Sequence, residues 1–153
     1  MRIKNRWAIP LAILLLSACS NQTAKTAVKK LLNDPDSAQF SEMRAGKDTG
    51  DVCGYVNAKN RMGGFVGNTP FFYQQSTDTV AIVKSPEDSD FRMLWLDLRS
   101  GGKNDFVKIA TQCDLVTQWE SVCGSAYPMQ KHEMCNVIHQ PSELYKALKA
   151  VNG

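Results

Sequence analysis

Residues 1–18 determine the compartment in which the rest of the chain must fold. They begin with the basic residues Arg2, Lys4 and Arg6, continue with an almost unbroken apolar run at 7–16, and end in small residues. This succession is typical of a secretory signal that is removed after export. A membrane-spanning helix requires about 20 apolar residues, so the run is too short to serve as one. We therefore expect residues 1–18 to be a signal peptide, and the remaining chain to fold in an oxidising compartment.

The residues around the predicted cleavage point carry a second signal. Leu16, Ser17, Ala18 and Cys19 follow the apolar run in that order. This sequence resembles the lipobox of bacterial lipoprotein precursors. The resemblance implies that lipid is attached to the thiol of Cys19, that the chain is cleaved before it, and that two or more acyl chains anchor it stably. Because Ser20 rather than aspartate follows the cysteine, the resemblance also implies an outer-membrane anchor with the domain facing the periplasm.

Removal of the signal changes the charge of the protein. The whole chain has 18 basic and 15 acidic residues, for a formal net charge of +3. Residues 1–18 contain three of the basic residues and none of the acidic ones, so the mature chain is balanced. Nucleic-acid-binding domains generally carry a basic patch, which this composition does not provide. We expect no nucleic-acid partner, a short tether at 19–22, and one domain at 23–153 whose membrane contact is the lipid anchor.

Four cysteines remain once Cys19 is assigned to lipid, namely Cys53, Cys113, Cys123 and Cys135. An even number of cysteines in an exported chain predicts disulfide bonds. The sequence leaves the pairing open. We favour Cys123 with Cys135, because that bond closes a short, turn-rich segment, and Cys53 with Cys113.

A structural zinc site is the alternative interpretation of the same cysteines. Both histidines of the chain, His132 and His139, flank Cys135, and with Cys123 they give two sulfur and two imidazole ligands. That ligand set is common in structural zinc sites. The spacing contains no CxxC pair and the compartment is oxidising, so we favour disulfides and expect no metal or other cofactor.

Hydrophobic periodicity predicts an α+β fold in which a small antiparallel sheet packs against helices. Three consecutive aromatic residues at 71–73 indicate a strand that is covered on both faces. The predicted helices are 23–33, 112–122 and a final one from Pro141, and the predicted strands are 52–59, 70–74 and 79–84.

Residues 91–98 are compatible with two structures. Proline and acidic residues at 86–88 favour a helix start, and the apolar residues that follow have helical spacing. The alternative is a hairpin that pairs 91–98 with 106–111 across a glycine-containing loop. We favour the helix, and we place Trp95 and Trp119 in the core.

Two stretches of the N-terminal half are distinctive. They are DPDSAQF at 34–40 and CGYVNAKNRMGGFVGNTPF at 53–71. Together they resemble a pattern in small exported or lipid-anchored bacterial and phage proteins, most of which have no assigned function. The resemblance implies a shared N-terminal helix and hairpin unit. It transfers no catalytic residue, and it ends before Leu94.

Enzyme motifs are absent from the sequence. It contains no GxSxG elbow and no HExxH helix, and two disulfides would leave no thiol for a catalytic Cys–His pair. Binding is the better hypothesis, with a candidate surface on the glycine-rich loop 60–68. Exposed phenylalanine and methionine side chains there would anchor a partner. The candidate residues are Asn57, Arg61, Met62 and Phe65; in the alternative interpretation Phe65 folds back to cap the sheet.

The function that we expect from the sequence is protein binding at the cell envelope. One specific form is an immunity or exclusion protein that acts against a toxin or phage component. A structural accessory of an envelope assembly is an alternative, and an enzyme with an unrecognised site is another.

Overall fold

The computed structural model describes the backbone of residues 11–152 and the side chains of residues 19–152. The predicted basic start of the signal lies outside the described residues, as do the side chains of the apolar run. The described part of the chain is α+β, as predicted, with helices around one antiparallel sheet. Its elements are α1 (Leu11–Lys29), β1 (Gln39–Ala45), β2 (Val52–Asn57), β3 (Thr69–Gln74), β4 (Thr79–Ile82), α2 (Asp88–Arg99), α3 (Asn104–Cys123) and α4 (Pro141–Asn152).

The sheet is an antiparallel meander in which each strand pairs with the next one along the chain, in the order β1-β2-β3-β4. Val52 lies opposite Tyr73 in the β2–β3 pair. The β1–β2 register shifts between Ser41 and Arg44, where Glu42 has a φ of 49°. An irregularity of this kind bends an edge strand. The predictions of strands at 52–59, 70–74 and 79–84 are confirmed, with slightly different ends.

Helices cover both faces of the sheet. Side chains on a strand point alternately to opposite faces, so Phe71 packs toward α1 with Ala24 and Val28. Phe72 packs on the other face, toward Trp119 of α3. The predicted burial of β3 on both faces is therefore confirmed. Trp119 is buried in this layer, as predicted.

A third apolar cluster joins α2, α4 and the first half of α3. Leu94 and Trp95 of α2 meet Ile109 of α3 and Leu148 of α4, so the predicted burial of Trp95 is also confirmed. The helix prediction for 91–98 is correct and the hairpin alternative is wrong, because 106–111 belongs to α3. The carboxylate of Asp90 accepts a hydrogen bond from the Glu87 amide at 3.0 Å, which stabilises the start of α2.

Helix α1 is longer than predicted. It begins at Leu11, whereas the predicted start was residue 23, and it ends at Lys29, whereas the predicted end was residue 33. Residues 19–22, which we predicted to be a short tether in the cleaved chain, are helical in the uncleaved chain. Ala24 and Val28 are fully buried against the sheet. Only one helical turn thus separates Cys19 from the core of the domain.

Two disulfides are present, but their pairing differs from the one that we favoured. Cys53 is bonded to Cys123, with 5.9 Å between their Cα atoms, and Cys113 to Cys135, with 5.2 Å. The physical reason is that α3 is one continuous helix, so its two cysteines lie about 15 Å apart along the axis. Cys123 lies over β2 at one end, and the chain beyond Gly124 runs back to bring Cys135 beside Cys113.

Candidate functional site

The candidate surface is the loop of residues 58–68 that joins β2 to β3, which we call the β2–β3 loop. Its backbone continues the hairpin beyond the strands. Lys59 and Phe65 form an antiparallel bridge, the Asn60 amide donates to the Gly64 carbonyl at 2.8 Å, and the Val66 amide donates to the Ala58 carbonyl at 3.2 Å. The loop is therefore a defined hydrogen-bonded structure.

Two asparagine side chains hold the tip of the loop in shape. Asn60 Oδ1 accepts hydrogen bonds from the amides of Met62 at 2.9 Å and Gly64 at 3.1 Å. Asn57 Oδ1 accepts from the amide of Gly67 at 3.0 Å, and Gly67 has a φ of 89° that favours glycine. Asn57, a predicted binding residue, thus acts on the loop itself. Asn60 was not among the predicted binding residues, although asparagine side chains commonly shape turns by accepting a hydrogen bond from the amide two residues on.

The apolar side chains of the loop are exposed. Met62 is 94% exposed and Phe65 is 48% exposed. The Lys59 ammonium lies 5.6 Å from the centroid of the Phe65 ring, a cation–π distance. About half of the Phe65 residue therefore remains exposed to solvent. Arg61 Nε donates to Asn33 Oδ1 at 3.2 Å, and this bond ties the loop to the turn after α1.

The β2–β3 loop and Cys19 lie at opposite ends of the sheet. Cys19 lines a cleft of about 730 Å³ together with Val52, where β2 begins, and Tyr73, near the end of β3. The loop leaves β2 after Asn57 and returns at Thr69. At about 3.3 Å per residue, the length of β2 separates the two ends by about 17 Å. The loop consequently faces away from the predicted lipid attachment site.

A second exposed apolar surface lies on the helices. Met93 is 55% exposed on α2, and Tyr145 is 54% exposed on α4. The Tyr145 ring lies 5.5 Å from that of Trp95, and the Arg99 guanidinium lies 5.7 Å from the same indole. These side chains flank the helical core, so their partial exposure needs no ligand to explain it.

His132 and Asp88 form a hydrogen-bonded pair that sequence reasoning did not anticipate. His132 Nε2 lies 2.9 Å from Asp88 Oδ1, and Nδ1 accepts a hydrogen bond from the Met134 amide at 3.2 Å. Both ring nitrogens are thus occupied. Ser85 Oγ contacts the backbone amide of His132 and not its ring. The arrangement has no base aimed at a nucleophile, so it does not form a catalytic triad.

A second cleft, of about 300 Å³, is lined by Ser85, Asp88 and His132, and by the buried Tyr127. The hydroxyl of Tyr127 donates to the Val83 carbonyl at 2.9 Å, and burial raises the pKa of this phenol. Its hydrogen bond joins β4 to the segment after α3. We assign Tyr127 to packing, since its one proton is already donated.

The zinc alternative does not agree with the structure. Cys123 and Cys135 belong to different disulfides. His139 Nε2 lies 2.6 Å from Asp114 Oδ1, on the exposed surface of α3. Within residues 11–152, no three side chains of the metal-binding types come together.

Comparison with known proteins gives no family for the chain. It matches no protein-family model, and the searches of curated proteins and of solved structures find no match either. Across the described part of the chain, no helix has both the length and the apolar character needed to cross a membrane.

Proposed function

We propose that the protein is a lipoprotein, anchored at the outer membrane through Cys19, that binds another protein at the cell envelope through its β2–β3 loop. The more specific form of the proposal is an immunity or exclusion protein that captures an incoming toxin or phage component. One observation carries the proposal: a loop shaped by its own side-chain hydrogen bonds presents Met62 and Phe65 to solvent.

Rigidity is what distinguishes this loop as a binding surface. Ordering a flexible loop on binding costs free energy, and a loop that is already held in shape avoids that cost. Asn60 accepts two backbone hydrogen bonds inside the turn, which leaves the apolar side chains as the groups offered to a partner. Lys59 and Arg61 place positive charge beside them. The expected partner surface is an apolar pocket with an acidic rim.

The position of the loop supports the same function. A partner that docks on it would lie on the side of the domain opposite Cys19. Binding would therefore not require the partner to enter the lipid headgroup region. This suits the capture of an incoming protein in the periplasm.

Site-specific photocrosslinking in intact cells tests the proposal. A photoreactive residue at Met62 should give one discrete crosslinked species, and the same residue at Met93, an exposed methionine on α2, is the matched control. Phe65→Ala should weaken the complex about 30-fold or more, as expected of an interface hot spot of about 2 kcal/mol. Tyr145→Ala, which removes a similarly exposed aromatic ring, should leave it unchanged. Equal crosslinking from both methionines, or equal effects of both substitutions, would contradict the proposal.

Identification of the crosslinked protein distinguishes an immunity or exclusion protein from a structural accessory. Deletion of an immunity or exclusion protein should make cells sensitive to the captured toxin or phage, and Phe65→Ala should reproduce that sensitivity. A structural accessory should instead crosslink to a resident envelope protein in the absence of any challenge, without conferring protection.

A further inference from the structure

Asp51 is a buried carboxylate that lacks half of its hydrogen bonding. Its residue is only 3% exposed. Oδ1 accepts a hydrogen bond from the Gln75 amide at 2.9 Å, whereas Oδ2 has no partner among the described residues. Buried polar atoms in folded proteins are almost always paired. An unpaired carboxylate oxygen therefore indicates a donor that is missing from this form of the chain.

Asp51 is one of the residues that line the same cleft as the first residues of the predicted mature chain. Cys19, Asn21 and Thr23 contribute one wall of this space of about 730 Å³. Asp51 is held at the start of β2 by its hydrogen bonds, because its carbonyl accepts from the Gly46 amide at 2.8 Å and its Oδ1 accepts from the Gln75 amide at 2.9 Å. The packing at Gly46 is also tight, since a Cβ atom added there would lie 2.6 Å from the Asp51 Cβ.

Cleavage before Cys19 would create the missing donor. In the uncut helix α1, the amides of residues 19–22 donate to carbonyl groups four residues earlier. Removal of residues 1–18 takes those carbonyls away, which places a new α-amino nitrogen and the amides of the first turn at the positive end of the helix dipole. We infer that Asp51 binds this new N-terminus and caps the mature helix α1.

The ligand class is an N–H donor on residue 19 or in the first turn. If the Cys19 nitrogen is not acylated, the donor is an ammonium group; if it is acylated, the donors are amide N–H groups. The mass of the purified protein distinguishes these two forms. This inference rests on the lipoprotein part of the proposed function and not on the β2–β3 loop.

Thermal unfolding of cleaved and uncleaved protein in the same detergent tests the inference. Wild-type protein supplies the cleaved form, and Cys19→Ser supplies the uncleaved one. Asp51→Asn should lower the melting temperature of the cleaved form by about 3–6 °C more than that of the uncleaved form. Asp48→Asn is the matched control, since Asp48 is an exposed carboxylate on the same cleft. Equal shifts for Asp51→Asn in the two backgrounds would overturn the inference.

Hydrogen exchange provides a readout that does not depend on melting. Amides of residues 20–24 should be protected in cleaved wild-type protein and should lose at least tenfold in protection in Asp51→Asn. Unprotected amides in the wild type would overturn the capping role. A mass spectrum that shows no cleavage before Cys19 would overturn it too, while leaving the test of the β2–β3 loop intact. Conversely, failure to find a partner for the β2–β3 loop would not alter the expected effect of Asp51→Asn, which is a larger fall in melting temperature for the cleaved than for the uncleaved protein.

Discussion

The disulfide between Cys53 and Cys123 should contribute more stability than the one between Cys113 and Cys135. A disulfide stabilises mainly by restricting the unfolded chain, and the effect grows with the length of the closed segment. The cysteines of the first bond are 70 residues apart, which corresponds to about 4.4 kcal/mol on that account. Those of the second are 22 residues apart, which corresponds to about 3.4 kcal/mol.

Burial of the two cysteines adds to the stability expected from the Cys53–Cys123 bond. Cys53 and Cys123 are both buried between the sheet and α3, beside Phe72 and Trp119. Replacing both with alanine removes two sulfur atoms from a packed layer, at a further cost of about 1 kcal/mol. The double variant should therefore lose about 5 kcal/mol. Since small domains are stable by only about 5–15 kcal/mol, this loss would bring the protein near its unfolding threshold.

Urea unfolding under non-reducing conditions, followed by tryptophan fluorescence, measures this difference. The Cys53→Ala, Cys123→Ala variant should have the lower midpoint, and the Cys113→Ala, Cys135→Ala variant is the matched control. A larger loss in the control variant would refute the reasoning from segment length. Peptide mapping of the unreduced protein provides a direct check, because recovery of Cys53 linked to Cys113 would refute the connectivity itself.

Three further substitutions test individual contacts. Asn60→Ala removes an acceptor of two backbone hydrogen bonds and should speed hydrogen exchange in the β2–β3 loop while changing global stability by less than about 1 kcal/mol. Hydrogen bonding from the Glu87 amide holds the pKa of Asp90 below its usual value. The ionised carboxylate therefore stabilises the fold above about pH 4, and this stabilisation is lost as the pH falls through the lowered pKa of the folded state. Asp90→Asn should therefore cost about 1 kcal/mol in urea unfolding at neutral pH, and progressively less as the pH falls below about 4. Tyr127→Phe leaves the buried Val83 carbonyl without its donor and should cost about 1–2 kcal/mol at neutral pH in the same assay.

Local sequence patterns predicted three of the four strands and most of the helices, because those elements depend on residues close in sequence. Proline and acidic residues before Phe91 predicted the start of α2, and three consecutive aromatic residues predicted that β3 is buried on both faces. The first half of α3 was missed because Val107 is exposed and interrupts the apolar periodicity. The disulfide pairing was missed for a related reason, since it depends on how far that helix extends and where the chain returns.

The candidate site was only partly predictable. Met62 and Phe65 were identified because large apolar side chains are conspicuous on a glycine-rich loop. The roles of Asn57 and Asn60 depend on which amides the folded loop brings within reach, and only the general tendency of asparagine to shape turns hinted at that of Asn60. The unpaired oxygen of Asp51 could not be inferred, because it depends on which donors the folded chain brings near the carboxylate.

The two proposed sites should act independently. Asp51 lies beside Val52 at the start of β2, and the β2–β3 loop begins after Asn57 at its end, so about 17 Å of rigid strand separates them. Effects of substitutions more than about 10 Å apart, with no shared contacts, usually add within about 0.5 kcal/mol. Phe65→Ala should therefore weaken partner binding by the same factor in the wild-type and Asp51→Asn backgrounds, measured by titration of the purified complex. A difference of more than about fivefold between the backgrounds would mean that the N-terminus and the loop are coupled through the sheet.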